Sequence, residues 1–353
     1  MKKILSLALV LVMVLSVVAL VGCSGDKEPT GDTSAPLKFG VGITASYAKA
    51  TDADGETNGE GELAADVVAV LVDADGKIVE CVLDTVQDKV AYTSEGKAVE
   101  LGEFKTKYEL GKDYNMATYG ASQDKNGDGV VKEWNEQADA FVKAVEGKTI
   151  EEAKALVAED GYGVESLQTA GCTINVAAFI KTLEKAVANA VDSTATADST
   201  LKIGIVSAGE TTDVSEEADG KIALDVAIAA TALDAENKVV AIVSDAVQAE
   251  FTFDAKGVAT TDTTVEIKTK KELGKDYNMA TYGASQDKNG DGVVKEWFEQ
   301  AAAFDAACAG KDAAGISALV TEDGYGVEAV QTAGCTIAIG DMVKAAVKAA
   351  TVA

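Results

Sequence analysis

From residue 37 onward the apolar positions switch between two periods, and each switch marks a change of element. Ala64-Ala65-Asp66-Val67-Val68-Ala69-Val70-Leu71-Val72 is an apolar, β-branched run. Asp75-Gly76 follows it and predicts a tight hairpin turn into a second strand, Lys77 to Leu83. The same pattern returns later as Ala223 to Leu233 and Lys238 to Ser244, with Glu236-Asn237 at the turn. Lys202 to Val206 predicts a lead strand. Thr261 to Thr269 alternates Thr and Val and predicts one more strand, with Val99 to Lys105 as its weaker counterpart. The period then changes to that of a helix. Val131, Trp134, Ala138, Phe141, Val142 and Val145 fall on one helical face. Thr149-Ile150-Glu151-Glu152 is a capping box that opens a short helix to Val157. A last helix, about Val176 to Val191, places Val176, Phe179, Ile180, Leu183 and Val187 on its inner face.

These elements occur twice. Glu109 to Trp134 recurs letter for letter as Glu272 to Trp297, at an offset of 163 residues. The same offset carries Gln168-Thr169-Ala170-Gly171-Cys172-Thr173-Ile174 onto Gln331 to Ile337. The period is too long for a solenoid unit, so it marks a duplicated domain. The expected organisation is repeat one at 37–191, a Ser/Thr/Asp-rich linker at 192–200 and repeat two at 201–353. The expected fold class is α+β: two tandem copies of an antiparallel sheet with helices packed on one face. Each copy carries its own hairpin and terminal apolar helix, which predicts that each folds alone.

The segment before the repeats has another character. Lys2 and Lys3 precede an almost unbroken apolar run, Ile4 to Val21. That run ends in Leu20-Val21-Gly22-Cys23, a branched apolar residue, two small positions and Cys. This is the pattern of a bacterial lipoprotein signal peptide, residues 1–22, cut before a Cys that carries lipid. Each buried CH₂ of an acyl chain contributes about 0.8 kcal/mol, so two or three chains hold a protein stably on a membrane. Ser24 to Pro36 contains both prolines of the chain and has no apolar face. Residues 23–36 are therefore expected to be a lipid-anchored tether, with the body on the extracellular face of the membrane.

Composition narrows the chemistry. With 47% hydrophobic and 25% charged residues the chain is globular in type. There is no His, and every one of the 31 basic residues is Lys. Imidazole-based triads, His-ligated zinc or haem, and bidentate Arg–phosphate forks are thereby excluded. A formal net charge of −27 repels nucleic acid and anionic lipid headgroups and favours cations as small partners. After Cys23 four cysteines remain, too few for a disulfide scaffold. Cys81 and Cys308 are matched by Ile242 and Val145 at the equivalent places in the other copy, which predicts small core apolars. Cys172 and Cys335 match each other.

The order of elements, with a Gly-Cys-Thr turn and a terminal Ala/Val/Lys helix, resembles the FMN-binding domain of bacterial flavin lipoproteins and quinone-reductase subunits. In particular it resembles paired-domain surface lipoproteins of Gram-positive anaerobes. In that family a Thr or Ser in the pattern Asp-x-x-Ser/Thr-Gly-Ala-Ser/Thr carries FMN by a phosphoester bond. The resemblance implies FMN as cofactor, with Gly171, Cys172 and Thr173, and Gly334, Cys335 and Thr336, as its binding residues. The family's Ala is Cys172 or Cys335 here, its preceding Ser/Thr is Ala170 or Ala333, and its leading Asp is Leu167 or Val330. The expectation is therefore FMN held without a covalent link. A phosphate would need backbone N–H donors from the Gly turn, expected to stand at a helix N-terminus. Aromatic walls would come from Tyr119, Trp134 and Tyr162, and from Tyr282, Trp297 and Tyr325.

A second candidate is a cation loop. Asp124, Asn126 and Asp128 stand at positions 1, 3 and 5 of a calcium loop, with Gly129 at position 6. Val130 stands where such a loop offers a backbone carbonyl. Asp287, Asn289, Asp291 and Val293 repeat the set. Position 12, which needs a bidentate Glu, holds Asn135 or Phe298, so weak Ca²⁺ binding with help from a neighbouring Glu is the expectation. The sequence thus supports two functions. One is a surface flavin carrier that passes electrons to an unnamed redox partner. The other is a non-redox structural or ligand- or cation-binding surface lipoprotein on the same fold. No general acid–base or nucleophile constellation appears, so an enzyme is not expected.

Overall fold

The computed structural model describes residues 35–116, 118, 127, 129, 131–279, 281, 290 and 292–351. Cys23 and the anchoring segment lie outside them. Repeat one begins with three long strands, β1 (Lys38–Thr51), β2 (Gly59–Val72) and β3 (Ile78–Tyr92). Repeat two begins with β5 (Thr200–Thr212), β6 (Gly220–Leu233) and β7 (Val239–Phe253). All pairings are antiparallel. The first sheet has the order β3-β2-β1-β4, where β4 is the short Val191–Asp192 strand, and the second has the order β5-β6-β7. The chain is thus α+β, with two antiparallel sheets and helices against them.

The hairpins fall where the patterning places them, but the strands extend well past the apolar runs. In β2 the residues after Val67 are buried on both faces, which produces the unbroken apolar stretch. Before Val67 only alternate residues are buried, so Glu62 and Asp66 interleave with Leu63 and Ala65. The predicted strands at 99–105 and 261–269 do not form. Only single bridges occur there, Tyr92 with Ala98, Phe253 with Ala259 and Ala45 with Ile267. In the second segment Asp262 accepts from the Thr264 backbone N–H at 2.9 Å, a local turn that competes with a ladder.

Helices follow each sheet. In repeat one these are α1 (Lys107–Leu110), α2 (Trp134–Val145), α3 (Ile150–Lys154), α4 (Glu165–Thr169) and α5 (Ala177–Ala188). In repeat two they are α6 (Lys270–Leu273), α7 (Trp297–Cys308), α8 (Ala313–Ser317), α9 (Glu328–Thr332) and α10 (Gly340–Ala349). The Thr149 capping box is present, with Thr149 accepting from Glu152 N–H. The terminal helix seats directly on the lead strand because that strand carries glycine at the crossing. A Cβ on Gly42 would lie 2.1 Å from the Thr182 carbonyl oxygen, and one on Gly204 would lie 2.1 Å from that of Ala345. No described helix is long and apolar enough to cross a membrane.

Each sheet buries one face under its own helices. Val68, Val70 and Cys81 join Trp134, Phe141 and Leu183 in repeat one, and Ala227, Ala229 and Leu233 join Trp297, Phe304 and Met342 in repeat two. The other faces pack on each other. Phe39, Val41, Leu63, Val67, Val86 and Tyr92 from the first sheet share a single core with Ile222, Leu224, Val226, Phe251 and Phe253 from the second. Residues 34–353 thus cluster as one compact unit around this common core. The linker 192–200 is pinned at two points, Ala195 and Ser199, which are buried while most of its other residues are exposed. Ala195 is fully buried and its carbonyl accepts from Leu37 N–H at 2.8 Å.

Candidate functional site

The Gly-Cys-Thr turns occupy equivalent places in the two copies, but not at a helix N-terminus. Gly171 closes α4 instead. Its N–H donates to the Gln168 carbonyl at 2.9 Å and the Cys172 N–H donates to the Leu167 carbonyl at 3.2 Å. Gly171 has φ +102°, so this is a Schellman cap with glycine at the residue past the helix end. Three residues lie between Thr173 and the start of α5, and the Asn175 backbone among them bridges to Tyr162. Gly334 ends α9 in the same way, with φ +102° and bonds of 2.9 and 3.1 Å from Gly334 and Cys335.

The next two N–H groups also have partners, and they share one. Gln137 on α2 is fully buried, and its Oε1 accepts from Thr173 N–H at 2.8 Å, from Ile174 N–H at 3.2 Å and from the Thr173 hydroxyl at 3.0 Å. The Gln137 amide nitrogen donates to the Lys132 carbonyl at 3.0 Å, which fixes the side chain. Gln300 repeats every bond: Oε1 meets Thr336 N–H at 2.8 Å, Ile337 N–H at 3.2 Å and the Thr336 hydroxyl at 3.2 Å. Thus each N–H from residue 171 to 174, and from 334 to 337, is already bonded within the fold. A buried donor is satisfied once, and a phosphate could take these only by displacing the glutamine.

Thr173 and Thr336 are 4% and 5% exposed, so the hydroxyls expected to hold a flavin phosphate face the interior. Cys172 and Cys335 are fully buried, and burial pushes each thiol up to about 12. Both are thiols at neutral pH, as small core residues. Cys81 and Cys308 are buried as well, consistent with their apolar counterparts in the other copy. Lys132 packs over Gly171, although its flexible tip could move aside and it is φ +102° that favours glycine. A Cβ there would stand 1.9 Å from Lys132 Nζ, which covers the turn, and Lys295 covers Gly334 identically.

The expected aromatic walls divide. Tyr119 and Tyr282 lie outside the described residues. Trp134 is 2% exposed and meets Tyr108 and Phe179 edge to face at 5.6 and 5.8 Å. It closes a core rather than an open slot. Lys107 lies 5.3 Å from the Trp134 ring and 4.9 Å from that of Tyr114, and burial holds its ammonium below the usual lysine range. Lys270 takes the same place between Tyr277 and Trp297, with Asp225 Oδ2 at 3.1 Å. Beside this pair a cleft of about 810 Å³ is lined by Tyr47, Asp225, Gln248, Glu250, Tyr277 and Asp341. Its carboxylates oppose a phosphate and suit a cation.

Asp124, Asn126, Asp128, Val130, Asp287, Asn289 and Asp291 of the candidate cation loops lie outside the described residues. Val293 is described and is 55% exposed. Among the described residues no group of three or more Cys, Asp or Glu is placed to hold a metal ion. Sequence reasoning missed Gln137 and Gln300. Their recurrence at equivalent positions was a visible signal, as was the apolar pair Leu167 and Cys172 that accompanies a Schellman cap. Compared with protein-family models, curated proteins and solved structures, the chain matches none. The likeness to FMN-binding domains therefore rests on the residues quoted for it alone.

Proposed function

We propose that this chain is a cell-surface lipoprotein held to the membrane through lipid on Cys23, whose duplicated body is a non-redox structural or ligand-holding module. One observation carries the non-redox part: Gln137 and Gln300 already occupy the turn donors that a flavin phosphate would need. The inward-facing Thr173 and Thr336, the un-ionised Cys172 and Cys335 and the absence of Arg support the same reading. The anchor rests on the Leu20-Val21-Gly22-Cys23 motif. The −27 charge and the acidic cleft beside Asp225 favour cationic ligands over anionic ones.

The test is spectroscopic. The purified protein, co-expressed with a flavin transferase, is expected to be colourless near about 450 nm, where oxidised flavin absorbs. Its intact mass should carry no FMN-phosphoryl group, and titrated FMN should keep its free spectrum. A yellow protein, or an added mass lost in Thr173→Ala with Thr336→Ala, would establish a flavin carrier instead.

A further inference from the structure

Several of the contacts between the two copies come in reciprocal pairs. Lys185 on α5 of repeat one pairs with Glu272 on α6 of repeat two. Lys348 on α10 of repeat two pairs with Glu109 on α1 of repeat one at 2.6 Å. Both lysines and both glutamates are related by the 163-residue offset. In the sheets, where the offset is 161, Ala53 N–H donates to the Gly257 carbonyl at 2.8 Å and Val214 N–H donates to that of Gly96 at 2.9 Å. The carboxylates reciprocate too: Asp52 accepts from Ala259 N–H and Asp213 from Ala98 N–H, each at 2.9 Å. Tyr92 and Phe253 are equivalents of each other, and their rings stack with centroids 4.5 Å apart. In each of these pairs residue i of one copy contacts residue j of the other, and j of the first contacts i of the second. That is an isologous interface, the kind that closes a twofold homodimer.

We propose that the chain is a covalently fused homodimer, in which the inner sheet face of each copy is a docking surface whose partner is a second copy of the same domain. The linker 193–199 is not what holds the copies together. It raises their effective concentration, and the shared core with its reciprocal bonds supplies the affinity. Two features make the surface suited to this occupant. Its core is apolar on both sides, so neither copy would leave it exposed to water. The segment after β7 also runs beside the lead strand of the first copy, as the Ala45–Ile267 bridge shows, and so covers an edge that would otherwise be open.

The turn at Ala197 and Asp198 is exposed, and the test places a protease site there in the full chain. After cleavage the two fragments should co-elute at the volume of the uncleaved chain, and native mass spectrometry should show a one-to-one complex. Fragments that separate as independent monomers would overturn the proposal. A parallel measurement guards against an insertion that disturbs folding. Residues 35–197 and 198–351 are expressed together as two chains, one tagged, and the untagged chain should co-purify in equal amount. Its absence would equally overturn the idea. Within the cleaved complex, Lys185→Glu should raise Kd several-fold, and adding Glu272→Lys should restore it. No change in Kd in either variant would remove that pair from the interface.

Discussion

Tyr92 lies flat on Phe253, the two rings within 2° of parallel, where the first sheet meets the second. Both side chains are essentially fully buried, and the Tyr92 hydroxyl donates to the Thr51 carbonyl at 2.7 Å. One contact thus belongs to both copies at once. Phe253→Ala should destabilise by about 3 kcal/mol or more, as large-to-small changes at buried aromatics do. Because the core is shared, urea unfolding followed at Trp134 and Trp297 should show one transition in both the wild type and the variant. Two separated transitions would show that the copies fold independently.

Gln137→Ala with Gln300→Ala removes the acceptor of four buried N–H groups, those of Thr173, Ile174, Thr336 and Ile337. Leaving a buried donor unpaired costs about 1–3 kcal/mol, so each single substitution should lower stability by at least that much. Thermal denaturation measures it. A loss below about 0.5 kcal/mol, typical of surface changes, would mean that the glutamine is not what holds the turn.

Asp84 and Asp88 are held by burial at about 6, above the ordinary Asp value of 3.8. Asp88 is 2% exposed, and among the described residues its Oδ2 has no hydrogen-bond partner. The folded state therefore binds more protons than the unfolded one between roughly pH 4 and pH 6. Their stabilising contribution is fully present below the unfolded value and is lost as pH rises through about 6. Relative to Asp88→Asn, the wild type should lose stability on going from pH 4 to pH 7. Melting curves at several pH values check the sign, and a difference independent of pH would refute it.

Cys23→Ala should release the protein from the membrane fraction or leave an unprocessed precursor. Fractionation with a labelled fatty acid reads both outcomes. Normal lipid labelling in the variant would sink the lipoprotein assignment.

The sequence by itself determined the local structure and the duplication. Hairpins, the Thr149 capping box and the helical faces depend on neighbours within a few residues, so period and turn chemistry suffice to locate them. The repeat determined that the two copies build the same three long strands and the same succession of helices. Tertiary structure alone decided what Gly171-Cys172-Thr173 is for. Its donors look open in sequence because their acceptor, Gln137, is 36 residues away and reaches them only once α2 is packed. It also decided that the two sheets share a core, since an alternating strand shows which residues are buried and not whether helices or another sheet bury them. Phe253 would read the same on a separate domain. Its neighbour Tyr92 is fixed by an interface whose register no periodicity encodes.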